Sequence, residues 1–507
     1  MNTNNKRIAK NTIYLYFRLL LTIGISLYTS RIVLEVLGIE DFGIYNVVGG
    51  IVVMFAFLNN AMVTSSQRFI SYELGKQNDE ALKKVFSISA SIHFCIALII
   101  LLIAETVGLW FLNTQLNIVP ERMQAANWVY QCSIFAFMVS IISVPYNACI
   151  VAHEHMKVYA MMAIIEIVLK LAIVYIVMVG NTDKLKLYAL LILGIAVIIR
   201  VIYAIYCKAH FKECTYHFSF DRDLFRRMIS FTGWSFFGNL SHSLKDQGSN
   251  MILNIFFGTA VNAARGIAFQ VNVAITSFAG NFQMAINPQI TKTYAAGDYE
   301  QTRLLIARGC RYSFYLLAIL TIPVYINIKY ILSLWLTEVP EYTAVFSKLI
   351  IWISMLNSMT SHVGTAIQAT GDVRNYNLVT GGIFLLDLPA SYLVLKLGGL
   401  PYSVLYVSLV TTTICTIARF WIMKNRITFS VRYFIFSIFL KNMILFAVLI
   451  AILQYIQSCF PVNFFSFAAM TLFSVAFTGG IFYMLGLTKA EKQMIRKNLF
   501  NYIKKRL

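Results

Sequence analysis

Residues 231–287 read FTGWSFFGNLSHSLKDQGSNMILNIFFGTAVNAARGIAFQVNVAITSFAGNFQMAIN, two long apolar segments that meet at Gly258 and carry His242, Lys245, Asp246 and Arg265. Each segment is long enough to cross a hydrocarbon core about 30 Å thick as a helix. An ionisable side chain deep in such a helix costs about 2.5–3.5 kcal/mol on insertion scales, so these four are expected to face a bundle interior or a wet cavity. Asn239, His242, Asp246 and Ser249 recur at helical spacing, with Lys245 beside them. That spacing gathers the polarity into one stripe and leaves the other face to lipid. The stretch therefore predicts membrane helices packed around a polar centre.

The rest of the chain agrees. Of its 507 residues 59% are hydrophobic and 13% charged, against about 25% charged in a soluble domain, and the mean hydropathy is +0.70. Fourteen apolar runs read as candidate spans, at about 11–33, 44–66, 86–112, 124–149, 158–180, 186–207, 230–257, 262–287, 311–333, 344–368, 376–397, 401–423, 437–458 and 463–486. Most of the 42 Lys and Arg residues fall in alternate connecting segments, the pattern that places those segments and both termini in the cytoplasm. The net charge of +20 thus speaks of orientation in a membrane and not of nucleic acid. The first run contains Arg18 and is followed by no small-residue cleavage site, so it reads as an uncleaved first span. Residues 488–507 put Met494, Ile495, Leu499, Tyr502 and Ile503 at helical spacing among basic residues. This tail either lies on an anionic leaflet or is a solvated positive end that fixes topology.

The chain also repeats itself. With an offset of 217, Ile150, Ala152, Tyr159, Leu169, Leu171, Tyr175 and Val177 recur as Ile367, Ala369, Tyr376, Leu386, Leu388, Tyr392 and Val394. The segments 71–86 and 292–307 resemble each other too, each following a helix pair hinged at a glycine, Gly38 or Gly258. Spans one to six then correspond to seven to twelve. Because six is even, the two copies share one orientation and are related by an axis along the membrane normal. The expected organisation is an all-α polytopic membrane protein with a first lobe at 1–207 and a second at 208–424. Spans thirteen and fourteen occupy 425–487, and a cytoplasmic tail follows at 488–507. Pro145, Pro323 and Pro389 fall within or near the ends of spans, where a missing N–H permits hinges.

Eight cysteines, at 95, 132, 149, 207, 214, 310, 415 and 459, show no CxxC pair. They read as small apolar fillers, with neither a metal site nor a disulfide framework suggested. No P-loop, HExxH, nucleophile elbow or Gly-rich dinucleotide loop occurs. Every predicted outer loop is short, which speaks against a glycan polymerase or transferase with carboxylates on a large outer loop.

The buried charges remain. Arg18 lies on the first span with Tyr14, Thr22 and Ser26 at four-residue spacing. It is either a cavity cation or an arginine snorkelling back to the near surface. Lys245, near the middle of its span, is less able to snorkel. Arg265, with Asn272 and Thr276 on its face, reads equally as a cavity cation or an outer-surface snorkel. His242, like His93 and His362, reads as a satisfied core histidine. Glu166 and Lys170 have the spacing of an internal ion pair. The 217 offset also maps Lys170 onto Asp387, so the two can meet across the pseudo-axis as a gate. Lysine and arginine in an apolar bundle are compensated by a diphosphate or acidic sugar through charge-assisted hydrogen bonds, while the surrounding aliphatic helices suit a lipid tail.

The runs RIVLEVLGIEDFGIYNVVGG (31–50), AHEHMKVYAMMAIIEIVLKL (152–171), FTGWSFFGNL with GTAVNAARGIAFQV (231–271) and NPQITKTYAAGDYE (287–300) resemble bacterial polysaccharide flippases of the Wzx type over nearly the whole chain. The resemblance implies two six-helix lobes rocking about a central cavity, as in the multidrug and toxin extruders and the lipid II flippase of the same superfamily. It implies translocation of an undecaprenyl-pyrophosphate-linked oligosaccharide from the inner to the outer leaflet of the bacterial inner membrane, for O-antigen, capsule or related glycans. Other polysaccharide-assembly membrane proteins are the implied partners, and no cofactor is implied. Substrate contacts are expected at Arg18, Lys245, Arg265 and Lys170, and ion coupling or gating at Glu166, Asp246 and Asp387. The alternative is an ion-coupled exporter of organic cations, which these three acids would suit.

Overall fold

A computed structural model describes residues 3–53, 56–114, 118–180, 182–217, 221–336, 339–424, 430–461, 463–488 and 491–493. The predicted amphipathic tail lies almost wholly outside the described residues. All regular structure among them is helical. The first six helices are α1 (Thr3–Val53), α2 (Ala56–Lys76), α3 (Asp79–Thr114), α4 (Pro120–Ala152), α5 (Met156–Val179) and α6 (Lys184–His210). They are followed by α7 (Arg222–Phe257), α8 (Thr259–Ala295), α9 (Tyr299–Ile326), the short α10 (Ile328–Trp335), α11 (Thr343–Ala369, broken at Met359–Thr360), α12 (Arg374–Lys396) and α13 (Ser403–Lys424). Last come α14 (Phe434–Ser458) and α15 (Phe464–Gly486). Several starts are fixed by a side chain accepting from first-turn N–H groups: Asn78 before α3, Asp183 before α6, Asp221 before α7 and Asp298 before α9.

Among the described residues ten helices are long and apolar enough to cross a membrane: α3–α6, α9 and α11–α15. The other four long helices, α1, α2, α7 and α8, carry the polar residues and form the junction between two lobes. In the first lobe α1 packs on α5, α4 on α6, and both α2 and α3 on α4; in the second α7 packs on α12, α11 on α13, and both α8 and α9 on α11. The same pairings thus occur twice, as the internal repeat requires. Across the junction α2 meets α7 and α8, and α1 meets α8. The last two helices pack on α9, where the fully buried Phe314 contacts Phe446 at 5.8 Å and Phe482 at 6.4 Å between ring centroids.

The backbone exceptions are duplicated as well. Gly38 (φ 79°) kinks α1 and Gly258 (φ 77°) separates α7 from α8. This is the left-handed region that only glycine enters without a Cβ clash, so each hinge needs no loop. Gln77 and Gly297 form a second left-handed pair before α3 and α9, and Glu154 and Gly371 a third before α5 and α12. The third pair keeps the 217 offset. Pro145, Pro323 and Pro389 all lie inside helices, and so does Pro288 in α8.

Candidate functional site

Lys245 of α7 and Asp387 of α12 form the most buried ion pair among the described residues, Nζ to Oδ2 at 3.4 Å with 7% and 0% of their side chains exposed. Asp387 also accepts from Thr411 at 2.7 Å and from Ser408 at 3.0 Å, both on α13, and from Ser391 at 3.3 Å on its own helix. A carboxylate out of water needs this many partners. The Lys245 ammonium also lies 5.0 Å from the Phe384 ring centroid. Arg265, 7% exposed, bonds Asn250 across the Gly258 hinge. The two readings open for it in the sequence resolve to an arginine turned into the protein. Arg419 of α13 donates to Thr360 Oγ1 at 2.7 Å.

The stripe expected on α7 is divided. Ser241, Lys245 and Ser249 are buried, whereas His242 and Asp246 are 54% and 33% exposed in their side chains and stand 3.4 Å apart. His242 is therefore not the enclosed core histidine anticipated. His93 and His362 are, at 3% and 0% exposure.

In the first lobe Arg18 bonds Asn281 of α8 at 3.0 Å and lies 4.9 Å from the Tyr159 ring of α5. It reaches across the junction instead of back along its own helix. Lys170 pairs with Glu166 at 2.6 Å, both half-exposed on α5. The expected meeting of Lys170 with Asp387 does not occur: each has a nearer partner, Lys170 one turn away on its own helix and Asp387 on the neighbouring α7. The offset places them at equivalent points of two lobes, and equivalence is not contact.

Two further contacts join the lobes at the face where the chain begins. Glu154, 4% exposed in the turn between α4 and α5, accepts from Arg7 of α1 at 2.8 Å, and from Lys292 and Gln289 of α8 at 2.8 Å each. Asn11 bonds its backbone carbonyl at 3.1 Å. Burial, opposed by Glu154, holds the Lys292 ammonium below its ordinary value. In the reciprocal contact Arg68 of α2, in the first lobe, donates to the carbonyls of Gln368 and Ala369 at 3.2 and 2.8 Å, at the end of α11 in the second. Each lobe thus presents a helix end to the turn of the other. Sequence reasoning missed both clasps because Glu154 reads as a loop acid in a polar stretch. Its alignment with Gly371 under the 217 offset was the one available signal that it occupies a turn of defined geometry.

Beside the Arg68 clasp lies a cavity of about 760 Å³. Helices α2 and α3 wall one side, α7 and the α11–α12 turn the other. Arg68, Lys76, Lys84, Arg226, Arg227 and Arg374 line it against fewer acids, with Tyr72 and Trp234 among the aromatics. Arg374 lies over Trp234 at 5.4 Å.

Residues 8–294 match the family model described as "Polysaccharide biosynthesis protein", and residues 235–393 match that described as "MatE". No curated protein matches the chain in sequence. Among solved structures, an outward-facing multidrug resistance transporter of the MATE family and MOP superfamily superposes with a TM-score of 0.72 at 12% identity, over 84% of this chain and 96% of that one. A Vibrio cholerae MATE transporter variant gives 0.69 at 15% identity, covering 83% and 97%. A MOP superfamily transporter from Pyrococcus furiosus, whose description notes a binding pocket of reversed polarity, gives 0.64 at 13% identity, covering 83% and 96%. At these identities the likeness is one of fold.

Proposed function

Because the chain belongs to the polysaccharide biosynthesis protein family of the MOP transporter superfamily, we propose that it moves a lipid-linked oligosaccharide with an anionic headgroup from one leaflet to the other. In this reading the carrier is undecaprenyl pyrophosphate, the membrane is the bacterial inner membrane with both termini cytoplasmic, and the product serves surface polysaccharide. The observation that carries it is the sign of the charge among the helices of the bundle. Lys245, Arg265, Arg419, Arg18 and Lys170 stand against Asp387, Asp246 and Glu166. A diphosphate answers such an excess with short charge-assisted hydrogen bonds, and the exposed apolar helix faces let its tail remain in lipid. Lys170 and Arg18 bind headgroup in the first lobe, Lys245 and Arg265 in the second. Glu166, Asp246 and Asp387 are the acids for coupling or gating. The lobes alternate by breaking the clasps at Glu154 and Arg68.

A second reading, an ion-coupled exporter of organic cations, is favoured by the half-exposed Asp246 and by the extruder-like fold. The two are separated in proteoliposomes by following an undecaprenyl-pyrophosphate oligosaccharide as it becomes protected from an external glycosidase. Arg18→Gln is the informative variant because Arg18 is partly exposed and its loss leaves no buried charge unpaired. A charge-assisted bond is worth about 1.5–3 kcal/mol, so transfer by this variant is expected to fall at least about tenfold while the protein stays folded at the assay temperature despite the lost bond to Asn281. Absence of transfer by wild type, with proton- or sodium-driven movement of an organic cation instead, would establish the exporter.

A further inference from the structure

Three of the eight cysteines are not scattered in space. Cys149 at the end of α4, Cys207 near the end of α6 and Cys214 in the segment leading to α7 are all fully buried. They converge where the two helix ends meet the 211–217 segment. Cys207 donates to the Tyr146 carbonyl at 3.5 Å. Glu213, 5% exposed, brings a carboxylate into the same pocket. The sulfurs of Cys149 and Cys214 and a Glu213 oxygen all lie within 4.8 Å of one another. His153 Nε2 holds Glu213 Oε1 at 2.5 Å, and its ring stacks on Phe211 at 4.2 Å.

A carboxylate out of water needs partners, and beside His153 the fold brings two thiols to Glu213. Cysteine sulfurs, a carboxylate and a histidine bonded to that carboxylate are the parts of a zinc site. Tetrahedral zinc, with bonds of about 2.0–2.3 Å, spaces its donors about 3.3–3.8 Å apart, inside the 4.8 Å that bounds these three. Two thiolates with one carboxylate oxygen favour a borderline-soft ion such as Zn(II) over magnesium or calcium, with a water completing the tetrahedron. On the positive-inside reading this face is cytoplasmic, where thiols stay reduced and a Cys cluster signifies metal more than disulfide.

We infer that Cys149, Cys214 and Glu213 bind one Zn(II), with His153 orienting the carboxylate, and that the ion fastens the 211–217 segment to the turn that carries Glu154. His153 and Glu154 are neighbours in the chain, so the ion stiffens one support of the clasp described above. This site is independent of the transported substrate.

The test uses the full chain, purified in detergent without chelator from zinc-replete cells, with metal measured by mass spectrometry. About one zinc per chain is expected in wild type and in Cys415→Ser, falling at least about tenfold in Cys214→Ser. Should Cys214→Ser fail to fold, cobalt exchange into wild type reads the same site: thiolate-to-cobalt charge transfer with the visible bands of a tetrahedral ion is the expected spectrum. Wild type without stoichiometric metal, full zinc retention in folded Cys214→Ser, a cobalt spectrum lacking thiolate bands, or recovery of Cys214 in a disulfide would each overturn the assignment.

Discussion

Glu154→Gln is expected to release the lobes from each other where the chain begins. The carboxylate is enclosed and holds two cations, Arg7 from its own lobe and Lys292 from the other. Breaking a buried pair from one side costs about 3–5 kcal/mol. Glutamine keeps the shape and part of the hydrogen bonding, so about 3 kcal/mol is a fair expectation, roughly a hundredfold shift toward states in which α8 has left the α4–α5 turn. Amide hydrogen exchange at the end of α8, around Gln289–Ala295, reads this directly and should accelerate by that order. Glu105→Gln, which alters a hydrogen bond to Gln131 elsewhere in the first lobe, is the control and should leave that segment unchanged. Equal exchange in the two variants would mean that Glu154 does not hold the lobes. In the transporter reading Glu154→Gln also slows net transfer, since a carrier that rests too long in one state turns over less often.

The second large effect belongs to the Lys245–Asp387 pair. Asp387→Ala strands a buried ammonium and removes the acceptor of Ser391, Ser408 and Thr411. A loss of about 3–5 kcal/mol is expected, seen as a lowered thermal midpoint in detergent. Lys245→Met alone should cost a similar amount by leaving the carboxylate without its cation. Lys245→Met combined with Asp387→Ala should be less destabilised than the sum, by at least about 2 kcal/mol, since the second change removes the charge that the first left unpaired. Additive costs would mean that the pair is not energetically coupled. The cycle separates stability from transport as well: a double variant that folds but does not move substrate assigns these side chains to the cargo as well as to the bundle.

The fold was legible to different depths. Spans, hinges and the two-lobe plan came through because hydrophobic run length and a glycine that must be left-handed are local properties. Gly38 and Gly258 could be read as hinges from their surroundings alone. That Lys245 and Asp246 need not pair with each other followed from helical geometry, which sends adjacent side chains in different directions. Which span supplies the partner did not follow, because Asp387 is 142 positions further on and only packing of α7 against α12 brings it near. The symmetry argument failed for Lys170 for the same reason: a repeat relates positions and says nothing of distance. The thiol cluster and Glu154 were missed because their members are far apart in the chain, at helix ends and in a connecting segment, and only the fold shows convergence.

The turn at Glu154 and Gly371 has a further consequence. Both copies take the left-handed backbone, but a glycine stands in one and a glutamate in the other. At Gly371 a Cβ would lie 2.7 Å from the Arg68 guanidinium, so any side chain there would displace the arginine from its carbonyls. At the other copy the chain accepts backbone strain of about 1–2 kcal/mol to place a carboxylate where its twin has none. At this matched position the two halves have therefore diverged, one keeping space and the other acquiring charge. A substitution at Glu154 removes a charge from one clasp and a substitution at Gly371 crowds the arginine of the other, so the two contacts that hold the same pair of lobes fail by different physics.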